Sequence, residues 1–246
     1  MSVKVKIMNK AKDIAESTVK GVTKNFLSII PIASTMIDVY EQYQALQTER
    51  KINRLRGWYK ALNDDVQKLK ENLNHNYIQK EDFLDIFEET ARYVVNERKE
   101  EKRLLYKNIL LNSAISTECS YDKTETYLRL LSQLDTLALE ILKILSDPIQ
   151  YNKDKGMIIA DLPKFHSGPG IHYTLSYKFI EQLCQLLGDK DYEEDDVYEE
   201  LYFLENNRII EANVKDRSGQ TNINPVIVLE NCLTKKGKDF VSFLKE

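Results

Sequence analysis

From Ile52 the apolar residues fall into a fixed rhythm: Ile52, Leu55, Tyr59, Leu62, Val66, Leu69 and Leu73 follow one another at alternating steps of three and four. That spacing keeps one stripe of a helix apolar for about three heptads and requires another helix to cover it. Only 8 glycines and 5 prolines interrupt the 246 residues, too few for the many turns of a sandwich or barrel. The chain is therefore expected to be mainly α-helical. Gly57 within the seam reads as a bend, and Asn74-His75-Asn76 as its end.

The same periodicity extends to both sides. Ile7, Ala11, Ile14, Thr18 and Val22 form a stripe that continues through Phe26, Ile29 and Ala33, with Pro31 ending or kinking the helix near Ile30 and a second helix starting at about Ser34. After the break, a single long helix is expected from Glu81 to Ser113, with Phe83, Phe87, Ala91, Val94, Leu105 and Ile109 inward. Within it, the run NERKEEKR (96–103) has seven charged residues of eight and reads as a solvated face with intrahelical pairs. Residues 115–123 read as a linker. The expected division is a helical bundle over 1–118 and a second domain over 124–246.

The second part changes character. A helix capped by Asp135 or Thr136 is followed by a loop with Gly168-Pro169-Gly170, a helix over 174–187 closed by Gly188, and a third helix over 192–205. Two strand-like runs, 208–214 and 226–231, flank a polar tip at 215–225, and a last helix starts after Leu233-Thr234. Three helices, strand, wing, strand, helix is the order of a winged helix, so an α+β winged-helix-like C-terminal domain is expected.

Charge opposes the DNA binding that such a layout invites. The segment Asp189–Glu205 holds nine acids and one base, Lys190. Phosphate neutralisation needs Lys and Arg, and acids at this density repel DNA. The acidic face, represented by Asp191, Glu194, Asp195 and Glu199, suits a basic protein surface instead. Net charge is unevenly placed: residues 1–60 carry +6, leaving −10 for the rest of a chain of net charge −4. Self-association of basic head and acidic body is one outcome of that split.

The head offers a second surface. Lys10 and Lys20 with Phe26, Ile29 and Ile30 have the signs of an assembly or membrane-surface element, while a bundle core explains the same apolar residues. The longest uncharged stretch, thirteen residues from Asn25 to Ile37, is short of the roughly 20 a spanning helix needs. A cytoplasmic protein is expected, with contact at the inner membrane face as the variant. Arg50, Arg54, Arg56 and Trp58 on the seam helix, with Lys215 and Arg217 in the wing, are the candidate anion contacts. They would serve the alternative, a transcriptional regulator binding DNA.

Catalytic patterns are missing. His166 and His172 share a loop with Asp161 but form no HxxxH or HExxH, and the glycine pair lacks the GK[ST] of a phosphate cradle. Cys119, Cys184 and Cys232 are too scattered for a disulfide framework or a CxxC site. No cofactor, metal or enzymatic activity is expected; the partner is a protein or a second copy.

The stretch EEKRLLYKNILLNS (100–113), the leucine-rich YLRLLSQLDTLALEILKIL (127–145) and the ending LTKKGKDFVSFL (233–244) resemble bacterial helical proteins of the Abi-alpha type, found on prophages and mobile elements. The likeness includes the string Lys107–Ser113 followed by the leucine-rich helix, and covers roughly residues 80–145 and the tail. The resemblance implies a bacterial, cytoplasmic setting of phage conflict, that of abortive infection, with no activity attached.

Overall fold

The computed structural model describes residues 49–116, 119–155, 175–188, 192–211, 229 and 231–245. These divide into two compact units, one within Met1–Ser132 together with Phe243–Glu246, the other within Gln133–Ser242. The first helix described is α1, Glu49–Lys68. It buries Leu55, Trp58, Tyr59, Leu62 and Val66, while Gly57 faces open space and leaves the helix unbroken. A 3-10 turn, Lys70–Asn72, closes the seam. Asn74 then caps the one-turn helix α2 (His75–Ile78) by accepting from the Tyr77 N–H, and its own backbone N–H donates to Ala114 at 2.8 Å.

The expected long helix is two helices, α3 (Glu81–Asn96) and α4 (Glu100–Ile115), packed as a hairpin with α1 against both. The charged run sits at the corner. Glu97 and Lys99 are extended, and the side chains near them bond the freed backbone: Asn96 donates to Arg92 O, Glu97 accepts from Lys99 N, and Arg103 donates to the carbonyls of Glu97 and Arg98. Lys102, only 9% exposed, donates to Ser132 O and lies 3.6 Å from Glu97. The charges therefore serve the turn, because a helix end leaves carbonyls and N–H groups that need such partners.

α4 is buried on most sides, and its polar residues are used inside. Lys107, 4% exposed, is ion-paired with Asp65 of α1, which also accepts from Lys68 at 2.9 Å. Burial raises the Asp65 pKa, but the hydrogen bonds from Lys107 and Lys68 outweigh it and hold the carboxyl below its ordinary value. The next residue's amide, Asn108, donates to Leu244 O at 2.8 Å, and one turn on Asn112 donates to Phe243 O at 3.1 Å and Lys245 O at 2.9 Å. These carbonyls end the final helix, α10 (Lys235–Leu244), and would otherwise be orphans. The Phe243 ring meets Tyr127 edge-on, centroids 5.1 Å apart, with Lys123 Nζ 5.3 Å from Phe243. Tyr127 belongs to α5 (Tyr121–Gln133), which groups with the first unit up to Ser132 although the sequence suggested a boundary before it.

The second unit is built on α6 (Thr136–Ser146), capped by Asp135 through the Ala138 N–H at 2.8 Å. Asp147 and Pro148 start α7 (Pro148–Asp154), whose Tyr151 hydroxyl donates to Glu140 at 2.5 Å. Two more helices pack on α6: α8 (Leu175–Leu187), ended by Gly188 at φ +73°, and α9 (Glu194–Asn206). After α9 the chain makes a Schellman turn, Ile209 N to Leu204 O at 2.9 Å and Arg208 N to Glu205 O at 2.8 Å, with Arg208 left-handed at φ 56°.

The winged-helix-like α+β expectation is contradicted here. The described residues form ten α-helices and no strand or sheet; Ile210 and Leu233 make only an isolated bridge. The Schellman turn uses up the start of the first supposed strand. Thr234 then accepts from Gly237 N and starts α10, where a Cβ on Gly237 would lie 2.0 Å from the Ile209 carbonyl oxygen. A close backbone approach replaces the ladder. The remainder of the supposed hairpin, 212–228 and 230, and the loop around Gly168–Gly170 lie outside the described residues.

Two outcomes follow. Asn108→Ala leaves the Leu244 carbonyl unsatisfied and is expected to lower stability by about 1–3 kcal/mol, read as a fall in the urea midpoint. Asp65→Asn strands a buried ammonium and is expected to cost about 3 kcal/mol near neutral pH. A carboxyl whose folded pKa is depressed stabilises above its unfolded value and loses that contribution as pH falls through the folded one. The gap between wild type and Asp65→Asn should therefore be full above pH ~4 and close on acidification below it.

Candidate partner-binding face

α9 has the sequence EDDVYEELYFLEN and contains no Lys, Arg or His. Val197, Leu201 and Leu204, at steps of four and three, are buried on the side packed against α6 and α8. On the opposite side Asp195, Tyr198, Glu199 and Tyr202 form a second stripe at steps of three, one and three. Both tyrosines are exposed, Tyr198 at 38% and Tyr202 at 66%.

The acids of α9 have different employments. Glu193 and Asp196 form a reciprocal capping box, with Glu193 N donating to Asp196 at 3.0 Å. Glu194 and Asp195 lie in the first turn, where a carboxylate favours the positive end of the helix dipole. Glu199 has neither use and faces solvent between the two tyrosines. Glu200, on the flank, has its carboxyl pushed up first by burial and then by the nearby charges of Asp135, Glu199 and Asp196. No nearby cation offsets that shift at Glu200. The geometry offers fixed negative charge beside two aromatic rings on a rigid helix.

The sequence pointed to Glu194, Asp195 and Glu199, and the structure puts all three at the surface of one helix. It missed Tyr198 and Tyr202, although their i, i+4 spacing opposite Val197 and Leu201 was a readable signal. Asp191 lies outside the described residues, as do Lys10, Lys20, Phe26, Ile29, Ile30, Lys215, Arg217 and the His166–His172 loop.

The anion-contact candidates on α1 have separate surroundings. Trp58, expected to be free for a partner, is 3% exposed and packs at 5.4 Å from the Tyr59 ring and 5.8 Å from Phe87. α1 covers both α3 and α4, so its buried stripe is wide enough to take positions 58 and 59 together. Arg54 donates to Val95 O at 3.0 Å, near the end of α3, and Arg56 donates to Asn53 at 2.9 Å. Arg50 is exposed. Two thiols were candidates for reactivity only by type. Burial pushes both Cys119 and Cys184 up, away from the thiolate a nucleophile needs. Among the described residues no cluster of His, Cys, Asp or Glu could hold a metal ion, and no helix is long and apolar enough to cross a membrane.

Trp58 is the single tryptophan of the chain. Its emission should be blue-shifted and insensitive to iodide until the protein unfolds. Trp58→Ala should cost about 3–5 kcal/mol, whereas Arg50→Ala should leave the unfolding midpoint unchanged. A red-shifted, readily quenched native emission would return Trp58 to the surface. Set beside known proteins, the chain matches no family model, no curated protein and no solved structure.

Proposed function

We propose that this chain is a non-enzymatic interaction protein that takes a basic protein surface onto the outer face of α9. One observation carries the reading: Tyr198 and Tyr202 stand exposed in a stripe with Asp195 and Glu199 on a helix without a single base. Tyrosines supply large contact area for few rotatable bonds and dominate the energetics of many interfaces. Carboxylates around them draw in a cationic partner and reject nucleic acid, whose phosphates they repel. The resemblance to Abi-alpha-type proteins supplies the setting, phage conflict in a bacterial cytoplasm, with the basic, apolar-patterned residues 1–37 proposed for self-assembly or contact with the inner membrane face.

A fluorescent Lys/Arg-rich peptide and a duplex DNA of equal length, titrated over a salt series, test the binding. The peptide should bind, and Tyr198→Ala with Tyr202→Ala should weaken it at least tenfold, about 1.4 kcal/mol, while the urea midpoint stays put. Preferential binding of the DNA, or peptide binding indifferent to the tyrosines, would reject the reading. The setting is tested by plating phages on a bacterial host expressing the chain. Wild type should lower plaque formation and the double tyrosine variant should not; equal plating with both would remove the defence role.

A further inference from the structure

Within α9 the sequence repeats itself. Asp195-Asp196-Val197-Tyr198 is followed at once by Glu199-Glu200-Leu201-Tyr202, two tetrads of acid, acid, aliphatic and tyrosine. Four residues overshoot one helical turn by only about 40°, so matching members of the tetrads share a face, about 6 Å apart along the axis. The aliphatic members, Val197 and Leu201, are buried. The second acids are otherwise placed, Asp196 in the capping box and Glu200 half-buried on the flank. The first acids and the tyrosines, Asp195, Tyr198, Glu199 and Tyr202, are all exposed. Each of these carboxylates precedes its tyrosine by three residues, a spacing at which side chains on a helix are neighbours. The outer face thus presents the same carboxylate–tyrosine pair twice. We infer that it takes a partner helix carrying two arginines one turn apart, one guanidinium for each pair. The inference rests on the proposed partner-binding role of α9 and narrows the basic partner to this class.

Charge fixes the sign of the partner, since α9 holds six acids and no base. The tyrosines decide between the two basic side chains. A guanidinium is planar: its face stacks on an aromatic ring while the N–H groups of its edge bond a carboxylate, so ring and charge act together. A lysine ammonium is a compact, strongly hydrated point charge with no flat face to stack. Tyr202 is 66% exposed and Tyr198 38%, so both rings have surface to bury against such a group. The repeat sets the spacing. Arginines at i and i+4 of a helix rise by the same ~6 Å as the two pairs. A helix also arrives with its backbone hydrogen bonds made, whereas a strand laid on α9 finds no ladder there, because the backbone groups along α9 are bonded within it.

Calorimetric titration of the full chain with three peptides tests it. One is an alanine-based helix with arginines at i and i+4, the second has lysines at those positions, and the third is an Arg-X-Arg peptide held extended by flanking prolines. The arginine helix should bind the wild-type chain at least tenfold tighter than either of the others. Tyr198→Leu with Tyr202→Leu should reduce it to the level of the lysine helix, while Tyr198→Phe with Tyr202→Phe should keep the preference. Glu199→Gln should weaken both helical peptides. Equal affinity for the arginine and lysine helices, an extended peptide that binds as well, or an arginine preference that survives the leucine pair overturns the inference. In each of those cases the partner-binding role of α9 stands as long as binding depends on the tyrosines. If no peptide binds in a tyrosine-dependent way, the role itself fails, and the inference with it.

Discussion

Lys107 carries an ammonium into the middle of three packed helices, and the first unit is organised around keeping it paired. An unpaired charge at 4% exposure is costly enough to unfold a marginal domain. Asp65 therefore fixes the register of α1 against α4, and Lys68 holds the carboxylate from the other side. From that fixed helix, Asn108 and Asn112, spaced by one turn, reach the terminal carbonyls of α10. Polar residues inside an all-apolar seam specify one arrangement where leucines alone would tolerate several. The C-terminal residues Phe243–Lys245 thus belong to the first unit, with Phe243 buried in it, 130 or so positions away from the helix that holds them.

This explains part of what could be read in advance. The seam of α1 was legible because its burial is one-sided: Leu55, Tyr59, Leu62 and Val66 are inward, as their spacing requires. α4 was not, since a helix covered on most sides has no single apolar stripe, and Lys107, Asn108 and Ser113 look like solvent positions until their partners are seen. The corner at Glu97–Lys99 escaped for a related reason. Residues 96–103 are good helix formers locally, and it is the packing of α3 on α4 that forces the chain to reverse there. The segments 107–113 and 233–244, far apart in sequence, are joined by the two asparagine amides.

Element order misled the reading of the C-terminal part. The chain turns after α9 at Asn207-Arg208. Arg208 accepts the left-handed conformation to complete it, after which Ile209 and Ile210 are buried singly, without forming a ladder. Gly237 lets α10 approach the Ile209 carbonyl more closely than any other residue would, a contact invisible in a pattern of apolar and polar letters. The capping signals at Asp135 and Gly188 are local chemistry and are met by the same residues that suggested them.

The acidic segment was legible as charge but not as a surface, because composition does not separate acids that stabilise a helix from acids left over. Glu193 and Asp196 are consumed by the cap, and Glu194 and Asp195 already lower the energy of the first turn. Were all the acids of that kind, the face would need no partner. Glu199 breaks the pattern: it lies beyond the first turn, exposed, with Tyr198 and Tyr202 on either side and like charges near it. A helix that needed only to be soluble could place Lys or Arg one turn away from such an acid and gain a few tenths of a kcal/mol. α9 instead carries no base along its length, so its field is additive and its aromatic rings stay uncovered by long cationic side chains of its own. Every other described helix of more than one turn carries at least one base that partly neutralises its own acids.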